Sequence, residues 1–99
     1  MAIRVRRSSG NVFTDLGFPP QEAEHLRMRA DLMIQLTKLL QRRKLTQAQG
    51  ARMLGVSQPR ISDLTRGKID RFSIDTLVEM LGRAGMRVSF VTKRGRRVA

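Results

Sequence analysis

The chain has no cysteine, no tryptophan and no tyrosine, and its only histidine is His25. Without thiols, disulfides, thiol catalysis and thiolate metal sites are excluded together. A single histidine leaves a histidine-based zinc site or a catalytic triad without partners, and His25 reads as an exposed helix residue. The four aromatic residues are all Phe. The core is therefore built from Leu, Ile, Val, Met and Ala, and Met28, Met33, Met53, Met80 and Met86 read as core and interface packing. No apolar run approaches the roughly 18 residues of a membrane span. The basic start, Met1 to Arg7, is not followed by the hydrophobic stretch of a secretory signal. The acids form no catalytic pair, and Gly82-Arg83-Ala84-Gly85 reads as a helix stop without the glycine spacing of a nucleotide site. These absences predict a non-enzymatic cytoplasmic protein with no metal and no cofactor.

What the sequence does have is positive charge. Twenty Lys and Arg stand against eight Asp and Glu in 99 residues, a formal net charge of +12. A compact state resists that much self-repulsion unless an anionic partner offsets it. The charge is also segregated. Leu32 to Ser62 holds six basic residues (Lys38, Arg42, Arg43, Lys44, Arg52 and Arg60) and no acid, and Met80 to Ala99 holds six more and none. The acids fall in two bands, Asp15 to Asp31 and Asp63 to Glu79. A merely solvated helix surface mixes its signs, so acid-free stretches of this length predict an anion-facing surface.

Caps and apolar periods organise the chain. Residues 1–18 read as a basic, partly flexible segment, 19–92 as one folded domain and 93–99 as a basic tail. Pro19-Pro20 can begin a helix but not continue one, and apolar residues at helical spacing from Ala23 through Leu40, Ile34 among them, predict one long helix over about 20–43. Thr46-Gln47-Ala48-Gln49 is a capping box opening a second helix, with Ala48, Ala51 and Leu54 inward and Gly55 as its stop. Ser57 caps a third helix, which has Ile61 and Leu64 inward and ends at Gly67. Ser73 or Asp70 caps a fourth, carrying Ile74, Leu77, Val78 and Leu81. From Met86 to Thr92 apolar and polar residues alternate, which predicts a strand.

A lone strand leaves its backbone groups unpaired and lines up Met86, Val88 and Phe90 on one face. Pairing with a second copy of the chain across a two-fold axis solves this and makes those three residues the dimerisation set. The alternatives are a short partner near Val12-Phe13, or a frayed tail.

The segment 46–67 carries the chemistry. Two short helices joined by Gly55-Val56-Ser57 form a sharply angled unit. Ala51 is small where helix meets helix, and Val56 fills the angle. Gln58, Pro59, Arg60, Ser62 and Asp63 are left outside. That is the layout of a helix-turn-helix, whose second helix enters the major groove of duplex DNA.

Thr46-Gln47, Ala51, Leu54-Gly55-Val56-Ser57, Ile61-Ser62, Leu64 and Arg66-Gly67-Lys68 together resemble the Cro/repressor-type (XRE) helix-turn-helix family. The wider chain, with Asn11 to Phe18, the long helix, Arg71 to Leu77 and the terminal strand, is similar to small HigA-like antitoxins of toxin–antitoxin operons. The resemblance implies a mainly α, compact, lambda-repressor-like domain of about four helices plus the C-terminal strand. It implies that Thr46 and Gln47 meet a phosphate and that Ser57 caps the recognition helix and touches phosphate. Gln58 and Arg60 then read bases, as Gln pairs with adenine and Arg with guanine. Pro59 packs on a thymine methyl, Ser62 is a weaker reader, and Arg66 and Lys68 grip the backbone. Asp63 is structural, or reads a cytosine amine. Two functions follow, which can coexist: repression of a pseudo-palindromic operator, and neutralisation of a RelE/HigB-like toxin through Asn11 to Phe18, a segment that otherwise closes the chain's own core. The alternative is a solitary XRE-type repressor. Two positions depart from the pattern: Gly50 lies inside a helix, and Lys44 stands where a Gly often closes the first one.

Overall fold

Pro19 and Pro20 open the longest element of the chain, a helix from Pro20 to Arg42 with Pro at its first position, where a missing amide forfeits no bond. The computed structural model describes residues 2–6 and 12–92. In chain order the elements are strand β1 (Ala2–Arg6) and helices α1 (Val12–Asp15), α2 (Pro20–Arg42), α3 (Gln47–Leu54) and α4 (Gln58–Thr65). A 3-10 turn at Ile69–Arg71, helix α5 (Ile74–Arg83) and strand β2 (Arg87–Val91) follow.

α2 is the axle of the domain. Its residues Leu32, Met33, Leu36, Leu39 and Leu40 are buried with Leu54 of α3, Ile61 and Leu64 of α4, Phe72, and Leu77, Met80 and Leu81 of α5. Burying such side chains completely is worth about 1.5–3 kcal/mol each, which is what fixes α3 and α4 against α2. Ile34 falls off this face and is about half exposed, at 49%.

The ends of the helices follow one geometry. The amides of Leu45, Lys68 and Met86 each reach back to the carbonyl five residues earlier, on Leu40, Asp63 and Leu81, while Val56 bonds Ala51 in the same way. Each closure needs a left-handed residue, and the residues that supply it at these four ends are Lys44 (φ 52°), Gly55 (70°), Gly67 (73°) and Gly85 (81°). Three are glycines. Lys44 is the one described non-glycine residue with positive φ, at a conformational cost of about 1–2 kcal/mol.

The terminal strand needs no second chain to satisfy it. β2 pairs in parallel with β1, in the register Ala2↔Arg87, Ile3↔Val88, Arg4↔Ser89, Val5↔Phe90 and Arg6↔Val91. The expected pairing across a dimer therefore loses the unpaired strand that argued for it, and the alternative partner near Val12-Phe13 is instead helix α1. The described residues of the expected segment 1–18 form one strand and one short helix, whereas Met1, residues 7–11 and the tail 93–99 lie outside the described residues. Of the expected dimerisation residues, Met86 and Val88 pack on the chain's own core, and Phe90 is 48% exposed.

Candidate nucleic-acid interface

The start of α3 is built as the capping box predicts. The Thr46 hydroxyl accepts from the Gln49 amide at 3.1 Å, and the Gln49 side-chain oxygen accepts from the Thr46 amide at 2.9 Å. The Thr46 side chain is thus engaged in the cap, and Gln47, the first residue of α3, is exposed. The inward face of α3 is one residue away from expectation: Gly50, Ala51 and Leu54 are buried, and Ala48 is exposed. Gly50 has a steric reason. A Cβ there would lie 3.0 Å from Cδ2 of Leu40, so the missing side chain lets α3 settle on the end of α2.

Ser57 occupies the N-cap position of α4 with extended backbone, yet its hydroxyl makes no capping bond. With Ile61 and Leu64 turned into the core, helical spacing puts Pro59, Ser62, Asp63 and Arg66 on the opposite side and Gln58 at its edge. Gln58, Pro59 and Arg66 are exposed, and Ser62 is half-buried. These residues line the surface that α4 offers to a groove.

Arg60 is not among them. Its guanidinium carbon lies 4.2 Å from the centroid of the Phe72 ring, and its Nη1 donates to the Arg71 carbonyl at 2.7 Å. The ring it rests on is 1% exposed, so Arg60 is turned back along the flank of α4. The backbone around Phe72 is also tied to α2: Arg29 donates through Nη1 to the carbonyls of Ile69 (3.1 Å) and Phe72 (3.4 Å). Phe72, Arg29 and Arg71 are the residues that sequence reasoning missed. Their roles arise where a 3-10 turn folds back on α4, and no local pattern signals that.

Asp63 stands at the end of this surface with two cations on its carboxylate, Arg71 Nη1 at 3.3 Å and Lys68 Nζ at 3.6 Å. Lys68, expected to grip the DNA backbone, shares its charge with Asp63.

A short helix held at its back by a second helix across a left-handed glycine, with its outer side open, defines a helix-turn-helix domain. The sequence pattern of the helix-turn-helix domain family matches residues 12–93. A solved structure described as an XRE family transcriptional regulator is similar over 79% of this chain and 91% of that chain, at 30% identity and a TM-score of 0.70. No curated protein matches the sequence. The chain belongs to the helix-turn-helix family and is of the XRE type, a group of DNA-binding domains rather than enzymes. No helix among the described residues is long and apolar enough to cross a membrane.

Proposed function

We propose that the chain is a sequence-specific repressor that binds double-stranded operator DNA as a homodimer. The observation that carries this reading is the outward side of α4. Gln58, Pro59 and Arg66 are solvent-exposed on a helix whose other side is locked by Ile61 and Leu64, in a chain of net charge +12. Gln58 reads an adenine edge, Pro59 packs on a thymine methyl, and Ser62 makes a weaker base contact. Gln47, the free hydroxyl of Ser57 and Arg66 bind phosphate, with Thr46 holding Gln47 at the start of α3. In this reading Arg60 stays on Phe72 and braces the helix rather than reading guanine.

The homodimer is supported by β2. Among the described residues β1 occupies one of its edges and no strand pairs with the other, which leaves a row of backbone donors and acceptors to be satisfied there. Antiparallel pairing of two β2 strands, with Phe90 against its copy, would carry two recognition helices to half-sites roughly 34 Å apart.

A second reading, antitoxin to a RelE/HigB-like ribonuclease, is supported by α1 and the residues after it. Val12 (61%), Leu16 (69%) and Phe18 (38%) are exposed apolar residues, more than a flap closed on its own core would leave in water. The solitary repressor is the alternative.

Selection of bound duplexes from a random pool tests the first reading: the expected product is one palindromic sequence, and an unenriched pool would refute it. Co-purification with the product of a neighbouring ribonuclease-like reading frame, lost in Leu16→Asp, tests the second.

A further inference from the structure

We infer that Asp63 is a specificity-determining residue: it occupies two cations, Lys68 and Arg71, that would otherwise bind any DNA backbone. The inference rests on the DNA-binding reading above and deepens it.

Asp63 is the only acid between Asp31 and Asp70, and it sits on the outward side of the helix offered to DNA. A carboxylate there repels phosphate, so its presence calls for an explanation. Stability is a weak one, because ion pairs with cations this exposed contribute little to folding. The arrangement is layered. The Asp63 side chain is 15% exposed, whereas those of Lys68 and Arg71, which cover it, are 39% and 55% exposed. A duplex approaching α4 therefore meets the cations first and the acid behind them.

The bases of both cations are fixed. The Lys68 amide donates to the Asp63 carbonyl at 3.0 Å, and the Arg71 carbonyl accepts from Arg60, whose guanidinium is stacked on Phe72. Only the charged ends are free to choose between the carboxylate and an external phosphate, and the carboxylate is tethered and always present. Each phosphate contact by Lys68 or Arg71 first breaks a pairing with Asp63 and then leaves that acid uncompensated beside the backbone. Binding that depends on phosphates alone bears this penalty in full. Binding fixed by base contacts is set by pose and depends on it less. Asp63 thus acts as an internal competitor for phosphate, and it weakens attachment to the wrong sequence.

The test compares the full-length protein with Asp63→Asn on random-sequence duplex across a salt series. Freeing two cations is expected to tighten binding about threefold to tenfold at low salt and to steepen the log–log salt slope by about 1–2, since each phosphate neutralised contributes roughly 0.9. Lys68→Gln and Arg71→Gln should then weaken binding more in the Asp63→Asn background than in the wild type. Unchanged or weaker binding at the same slope would overturn the inference while leaving DNA recognition intact. A wild-type protein that binds no duplex would overturn both. Should Asp63→Asn fail to fold by circular dichroism, the wild-type background still decides. There Lys68→Gln and Arg71→Gln together should lower the slope by less than Arg66→Gln alone, and an equal or larger drop would refute the masking.

Discussion

The guanidinium of Arg60 and the ring of Phe72 are stacked at 4.2 Å, which joins the recognition helix to the turn that follows it. Stacking of this kind contributes about 0.5–1 kcal/mol at a partly exposed site, and the bond to the Arg71 carbonyl adds about 1 kcal/mol. Arg60→Ala should therefore lower the melting temperature, by about 4–8 °C for each kcal/mol in a domain of this size. Operator and random duplex should be weakened by the same factor. Loss of discrimination at a single base position, measured on operators substituted one base at a time, would show instead that Arg60 leaves Phe72 to read a base.

Lys44 closes α2 in the left-handed region, with φ of 52°. Lys44→Gly relieves that conformation but gives the unfolded chain more freedom, so the net gain should be about 0.5–1 kcal/mol. The denaturant midpoint should rise with an unchanged slope. Lys44→Val, β-branched at the same φ, should lower it.

Gly50 sets how closely α3 approaches α2. A single Cβ meets the flexible end of Leu40 at 3.0 Å, so Gly50→Ala trades a helix-propensity gain of about 1 kcal/mol against a small displacement and should be nearly neutral. Gly50→Leu has no such escape and should cost about 1–3 kcal/mol through overpacking, with weaker DNA binding as α3 is pushed outward. Thermal melts of both variants check the contrast.

Phe90 is the apolar residue that β2 leaves exposed, at 48%. If the proposed homodimer forms through β2, Phe90→Asp should leave a monomer in sedimentation while the circular dichroism spectrum stays helical. A persistent dimer would move the interface off the strand.

Much of the fold was legible because its signals are local. Pro20, Thr46, Gly55, Gly67 and Ser73 each mark an end within one helical turn, and the helices stop within a residue or two of those marks. β1 was not legible in the same way. Its alternation, Ile3-Arg4-Val5-Arg6, spans few residues and reads as a basic tail until β2, at the other end of the chain, supplies its partner. The candidate surface divides likewise. The exposure of Gln58, Pro59 and Arg66 follows from helical period alone. The inward turn of Arg60 depends on Phe72, and the pairing of Lys68 depends on how the 3-10 turn brings Arg71 beside Asp63; both are matters of tertiary packing. Gly50 departs from the family pattern inside a helix, and only the position of Leu40 shows why a glycine fits there.

The parallel ribbon of β1 and β2 ties together the two ends of the described chain. Ala2 stands beside Arg87, so the ribbon closes the longest loop of the fold, and contacts so distant in sequence are the slowest to form. Ile3 is buried with Leu32, Met33 and Leu36 of α2, so β1 has a seat on the core that does not depend on β2. A chain cut before Arg87 would keep α3 and α4 and lose only the strand that pairs with β1.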